Sequence, residues 1–468
     1  MIPYLARALA KEDYASYGQV LMVFGVLTVL FTIGLPKLIH QGLANEDESI
    51  QNQNFIASVA NMLLFGVLGT LLIYFLSEPV ANYFKNAALG SMLRIYSFSL
   101  VFTSLTQLFS SILNFYKKVK QLSSANILSN LIRVALLFCS IQFFDRLDMI
   151  AYALLLSAIL GTILNLIYLP LKMFKAKLDS KTMRHQIFTG VPLGLAGIVT
   201  FLIVQTDGIM ISRLLPTEDY AYYRMGAIPI PFFLLIYSSI VTITLPEVNR
   251  FFSKGEFKSI INLKRKSSLT IAFLAYPSII FLLCFFEEFV SYFFGESYLP
   301  SRFVFLIYNF VLFLRIIDYR DVLIASGKTT FILFNDLIFF VLNLVLNYLL
   351  IQHFGIEGAA IASTVIFFLI ALVLQFRTSK VLGVRTFHFF NLSKLFKIFG
   401  LSLMLSFSCV LIHGFFDSLL SLIVLGVFYL LVIYLLLLRF KVVDKKEILS
   451  YTKNLKIFAS LNSFLRKI

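Results

Sequence analysis

Long apolar runs separated by short polar turns repeat along the whole chain. A bilayer core of about 30 Å needs about 20 apolar residues per crossing helix. Thirteen runs meet that need, at 17–39, 55–76, 90–115, 123–144, 149–171, 188–211, 221–245, 268–286, 300–325, 329–352, 356–376, 396–414 and 419–438. The pattern predicts an all-α polytopic membrane protein. Only Ser326-Gly327-Lys328 separates two of the runs, which predicts a tight hairpin. The longest loop, 246–267, is basic.

Composition agrees with the pattern. The 468 residues would suggest about three soluble domains by length alone. However, 59% are hydrophobic and only 14% charged, with mean hydropathy +0.89, and no polar stretch is long enough for a soluble domain. No cleavable signal peptide is visible: Met1-Ile2-Pro3 leads straight to Arg7. Cys139, Cys284 and Cys409 lie in apolar runs without metal-ligand spacing, so buried thiols are expected. With no Trp and 22 Tyr, tyrosine is expected to supply the interfacial belt.

The net charge of +16 would suggest nucleic acid in a soluble protein. Here it sorts by alternate loops. One side (Lys37, 42–54, 116–122, 172–187, 246–267, 326–328, 377–395, Lys397 and the tail from Arg439) holds 29 Lys and Arg against 8 acids. The other side holds 6 against 12. The positive-inside rule makes the first side cytoplasmic, with the C-terminus there. No nucleic-acid partner is expected.

The chain repeats itself. Arg7-Ala8-Leu9-Ala10-Lys11-Glu12-Asp13-Tyr14-Ala15-Ser16-Tyr17 matches Arg213-Leu214-Leu215-Pro216-Thr217-Glu218-Asp219-Tyr220-Ala221-Tyr222-Tyr223 at seven of eleven positions, 206 residues apart. Leu35-Pro36 and Leu245-Pro246 close the two following spans, where proline is expected to stop each helix. Six spans lie between the motifs, so both start on the same side. The expected plan is two six-helix lobes related as a parallel repeat, a transporter architecture: 1–175, 188–377, a C-terminal transmembrane pair at 394–440 and a basic tail at 441–468. A full span precedes Arg213 but not Arg7, so the repeat leads one to expect a further first helix ahead of the thirteen, giving fourteen, with a genuine thirteen-helix protein as the alternative.

These residues resemble the opening of polysaccharide and O-antigen flippases, the Wzx-like branch of the multidrug/oligosaccharidyl-lipid/polysaccharide exporter superfamily. The resemblance rests on Pro3-Tyr4-Leu5-Ala6-Arg7, Glu12-Asp13-Tyr14, Tyr17-Gly18 and Gly34-Leu35-Pro36. It continues through Asp207 with Ile211-Ser212-Arg213-Leu214-Leu215, Ser253-Lys254-Gly255-Glu256, Phe294-Gly295-Glu296-Ser297-Tyr298 and Gly355-Ile356-Glu357-Gly358-Ala359-Ala360-Ile361-Ala362. Ala15 departs from the glycine common in that family. The resemblance implies a bacterial inner-membrane transporter that flips a polyprenyl-pyrophosphate-linked oligosaccharide by alternating access. It implies as partners the lipid-linked oligosaccharide, membrane lipids and the polysaccharide polymerase or ligase machinery, with a proton or sodium gradient, or consumption of product outside, as the energy source. Two alternatives stay open: a cation-coupled multidrug antiporter of the same superfamily, and an integral-membrane polysaccharide polymerase or ligase.

Ionisable residues inside spans are costly and mark function. Nine occur: Arg94, Arg133, Asp207, Arg224, Arg315, Asp318, Arg320, Asp321 and Asp336. Arg133, Arg315, Arg224 and Arg94 are the candidates for binding substrate, since a guanidinium forks onto phosphate. Asp318, Asp321, Asp207 and Asp336 are the candidates for ion coupling or pairing. An ion pair with a neighbouring helix is the alternative for Arg133. Spacing on a helix would pair Arg315 with Asp318 and put Asp321 on the same face. Asn335 and Asp336, with Asn343 and Asn347, would make one polar stripe. The five histidines do not cluster, and no phosphate loop, nucleophile elbow or zinc motif is present. No cofactor or metal is expected, and the chain is not expected to be an enzyme.

Overall fold

The computed structural model describes residues 2–144, 146–414, 418–440 and 442. All regular structure in them is helical. The first unit holds α1 (Ile2–Ala8), α2 (Lys11–Thr32), α3 (Leu35–Leu43), α4 (Glu48–Tyr83), α5 (Ala87–Ser97), α6 (Ser99–Phe115), α7 (Val119–Phe143), α8 (Asp148–Ile167), α9 (Ser180–Leu214) and most of α10 (Thr217–Gly226). The second holds α11 (Pro231–Ser253), α12 (Phe257–Cys284), α13 (Phe286–Phe294), α14 (Arg302–Phe310), α15 (Asp321–Ala325), α16 (Thr329–Leu382), α17 (Leu392–His413) and α18 (Leu419–Arg439). The division falls between Arg224 and Met225. Among the described residues ten stretches are long and apolar enough to cross a membrane, or eleven with the bent pair α5–α6. The chain is an all-α, multi-pass membrane protein.

The helices begin and end for local reasons. The Asp47 carboxylate accepts the Ser49 amide 2.8 Å away at the start of α4. Asp179 does the same for α9, and the Thr182 hydroxyl and the amides of Thr182 and Lys181 hold its carboxyl below the usual range. Gly327, at φ 72°, turns the chain from α15 to α16 as the spacing predicts. A straight helix of 54 residues would run about 81 Å, far more than one crossing. Gly355, at φ 58° and ψ −133°, breaks α16 between the two predicted spans.

Four spans differ from their predicted form. The run 90–115 bends by 52° between α5 and α6. The run 221–245 is interrupted between α10 and α11, next to Pro229 and Pro231, so Arg224 belongs to the short α10. Pro36 sits in the first turn of α3 and Pro246 inside α11, so neither stops a helix; α2 instead ends at Ile33 and Gly34, both with left-handed φ. The run 300–325 is not one helix. After α14 it passes through a 3-10 turn and open backbone before α15. Hydropathy reads side chains only, so a broken span and a continuous one look alike to it.

Lipid is as apolar as leucine, so polar contacts and close packing hold membrane helices together. In the first unit Gln186 of α9 accepts from Ser58 and Asn61 of α4 and donates to the Asn54 carbonyl at 3.0 Å. Thr162 of α8 donates to the Phe102 carbonyl of α6 at 2.8 Å. Leu35, Leu43, Phe55, Leu108 and Ile112 form the apolar packing around these contacts. In the second unit Pro277 removes an amide donor from α12. Tyr429 and Tyr434 of α18 each donate to α12 carbonyls nearby, of Pro277 and Leu274, both at 2.9 Å. Tyr14, Tyr298 and Tyr429 are fully buried, so tyrosine serves the interior as well as any belt. Of the cysteines only Cys409 is buried; Cys139 is exposed.

Candidate functional site

In the first unit α7 carries a polar stripe through an apolar helix. Residues 123, 126, 130 and 133 share one helical face. Ser123, Asn126 and Asn130 are exposed and Arg133 is half-buried. Above them the same face continues into Leu137 and Ser140, which are buried. Arg133 lies about 21 Å along the helix from its start. The alternative of an ion pair does not hold, since no carboxylate among the described residues lies within pairing distance of it. An uncompensated arginine at a helix centre costs about 3 kcal/mol in lipid. A stripe of amides and hydroxyls leading to one has the hydrogen-bonding groups to hold water or an anion.

The two copies of the repeated motif come together at the start of α2 and α10. Positions 206 residues apart meet directly. The carboxyls of Glu12 and Glu218 face each other, and the contact with Glu12 pushes the Glu218 carboxyl up. Nearly two turns on, the Arg224 guanidinium donates to the Gly18 carbonyl at 3.4 Å and to the Tyr220 hydroxyl at 3.4 Å, and faces the Tyr17 ring at 5.9 Å. Arg224 is thus held among tyrosines, not reaching freely for the interface. Asp207 accepts from the Tyr223 hydroxyl and the Gly208 amide, so it fixes the α9–α10 junction. Arg94 pairs with Glu78 at 2.8 Å, both about half exposed, which leaves it a poor candidate for binding substrate.

Gly18 is what allows this approach. A Cβ there would lie 2.7 Å from Arg224 Cδ and 2.8 Å from Tyr220 Cε1. Alanine would gain about 1 kcal/mol of helix propensity, yet overpacking costs about 1–3 kcal/mol. Gly18→Ala is therefore expected to lower the Tm of the detergent-solubilised protein. A Tm above wild type would show that the two helices do not approach this closely.

In the second unit the open backbone between α14 and α15 carries Arg315, Asp318 and Arg320. Non-helical backbone at membrane depth must have its polar groups satisfied. Side chains do this here: Tyr276 donates to the Phe313 carbonyl (2.8 Å), Tyr319 to Leu314 (2.7 Å) and Lys264 to Asp318 (2.7 Å). Because the segment is not helical, the expected Arg315–Asp318 pair is not formed and Asp321 does not share their face. Arg315 instead lies over the Phe367 ring at 4.7 Å. Asp318 accepts the Arg320 amide at 2.9 Å. Asp321 pairs at 2.6 Å with Lys264, and Asp336 pairs at 3.0 Å with Arg320.

Lys264 was not among the candidates, because it counts as part of the basic loop 246–267. It lies inside α12 with a side chain 3% exposed. The signal was the spacing Ile260, Ile261, Lys264, Ser267 and Ser268, one buried helical face. Asn347 donates to the Asn343 side chain at 2.8 Å, with both buried, so that part of the expected stripe is an internal contact. A cavity of about 250 Å³ opens beside the broken segment, lined by Leu234, Tyr237, Arg315, Asp318, Arg320, Phe367 and Ile370 among others. Among the described residues no group of His, Cys, Asp or Glu could hold a metal ion.

Known proteins place this arrangement. The fold is similar to that of "Lipid II flippase MurJ, inward closed conformation", with TM-score 0.74 at 19% identity, over 94% of this chain and 95% of that one. It is also similar to an inward-facing multidrug resistance MATE family transporter of the MOP superfamily, with TM-score 0.66 at 14% identity, over 82% of this chain and 94% of that one. A Shigella flexneri protein described as an O-antigen transporter is 22% identical over 394 residues, which is 81% of this chain and 93% of that protein. By name these are transporters and a flippase, not enzymes, as the residues led one to expect. The family described as "Polysaccharide biosynthesis protein" matches residues 1–252, more than half of the sequence, and the chain belongs to that family.

Proposed function

We propose that this protein flips a polyprenyl-pyrophosphate-linked oligosaccharide, an O-antigen, capsule or exopolysaccharide unit, from the inner to the outer leaflet of a bacterial inner membrane. The observation that carries the reading is the stripe on α7, which ends at an arginine with no carboxylate partner among the described residues. A pyrophosphate moving along that face is held by amides and hydroxyls and met by a guanidinium fork. The polyprenyl tail stays in lipid. The family and the Shigella relative supply the glycan side of the reading. Alternating access by rocking of two six-helix lobes, which the sequence repeat sets at 1–175 and 188–377, is part of this proposal. The charge asymmetry puts the C-terminus in the cytoplasm, although the tail beyond 442 lies outside the described residues. Asp207, Asp318, Asp321 and Asp336 each have a structural contact, so coupling through any of them requires that contact to break.

The test is reconstitution. A fluorescent pyrophosphate-linked disaccharide on a short prenyl chain is placed in liposomes, and its exposure to a membrane-impermeant quencher is followed. The protein is expected to speed equilibration between leaflets at least tenfold over empty liposomes. Equal rates with and without it would overturn the reading.

A further inference from the structure

The cavity in the second unit has chemistry of its own. Around it the charges are sorted. Lys264 is taken by Asp321 and Arg320 by Asp336. Among the described residues no carboxylate pairs with Arg315. Its guanidinium lies over the Phe367 ring at 4.7 Å, a contact with the cation's face that uses none of its N–H donors. Asp318 lines the same cavity, with one oxygen committed to the Arg320 amide. Tyr237 and Ile370 form part of the remaining, mostly apolar wall. Side chains cap the Phe313, Leu314 and Asp318 carbonyls of the open segment.

A ligand complementary to these walls has three parts. An anion with several acceptor oxygens meets Arg315, with Arg320 behind it. A hydroxyl or ammonium donor, a few bonds away, meets the free oxygen of Asp318. An apolar stem lies along Tyr237 and Ile370. A space of about 250 Å³ takes one headgroup, not an oligosaccharide. We propose that this cavity binds the phosphate headgroup of an amphiphile that carries a nearby hydrogen-bond donor. Two sources share that chemistry: a prenyl-pyrophosphoryl sugar and phosphatidylethanolamine of the bilayer. The inference concerns binding by the second unit and does not need the protein to transport anything.

The full-length protein in detergent is titrated with three short-chain probes, and its Tm is followed. They are dihexanoyl-phosphatidylethanolamine, geranyl-pyrophosphoryl N-acetylglucosamine and phosphate-free dihexanoylglycerol. At least one phosphate probe is expected to give a saturable rise, and the phosphate-free probe none. The probe that saturates identifies the source, and either one supports the site. Arg315→Gln is expected to weaken that probe at least tenfold, as loss of a charge-assisted contact does. Arg315→Lys, which keeps the charge and loses the fork, is expected to recover part of it. Phe367→Leu, which keeps the packing and removes the stacking, is expected to weaken it less than Arg315→Gln. No saturable response to either phosphate probe in wild type would overturn the site. So would an affinity unchanged by Arg315→Gln. Transport in the liposome assay is read separately, so a carrier that flips its cargo yet fails here rejects the cavity alone.

Discussion

Lys264→Ala is expected to lower the stability of the protein by about 3–5 kcal/mol, because it leaves the Asp321 carboxylate buried without its cation. Both side chains are nearly sealed from solvent, at 3% and 5% exposure, and the pair closes at 2.6 Å. Lys264 also caps the Asp318 carbonyl. The double variant Lys264→Met with Asp321→Leu removes both charges in similar volume, which is often neutral or stabilising for a buried pair. It still orphans one carbonyl, at about 1–3 kcal/mol. The double variant should therefore be more stable than Lys264→Ala and less stable than wild type. Unfolding in detergent for the variants gives the comparison. A Lys264→Ala protein within 1 kcal/mol of wild type would show that this pair does not hold the broken segment.

Arg133 should behave in the opposite way. Arg133→Gln removes a charge that costs about 3 kcal/mol in a helix centre and has no carboxylate partner among the described residues. Stability is expected to stay level or rise. Transport of the pyrophosphate-linked probe is expected to fall at least tenfold, the loss of about 1.4 kcal/mol or more of contact with the anion. Arg133→Lys keeps the charge and loses the fork, so it should also impair transport, by less. Lower stability together with full transport in Arg133→Gln would make it a structural residue and remove α7 from the path. Flux and unfolding measured on the same preparation separate the two outcomes.

Which features were legible follows from what each depends on. Spans such as 329–352 and 356–376 were readable because length and hydropathy set them, and Gly355 marks the break. The meeting of the two motifs could be approached through the repeat, which pairs Glu12 with Glu218 and Gly18 with Arg224 by counting alone. The form of 300–325 was not readable. Its apolar residues suit a helix, and distant side chains such as the hydroxyl of Tyr276 and the ammonium of Lys264 make open backbone tolerable there. Lys264 itself was hidden because α12 begins eleven residues before the predicted span, at Phe257 instead of 268. Arg133 was legible because a charge so deep in an apolar run stands out, whereas its lack of a carboxylate partner needed three dimensions.

The contact of Gly18 with Arg224 has a consequence for what a fused chain can do. In a homodimer of one repeat, each point on the symmetry axis brings a residue against its own copy. Two glycines would leave a gap at this height and two arginines would repel. Joining the copies in one gene frees each to choose a different residue, so a small side chain can make room for a large cation. The same freedom is unused at Glu12 and Glu218, where identical acids still face each other and the contact raises the cost of charging Glu218. Symmetry has been relaxed at one height and kept at the next.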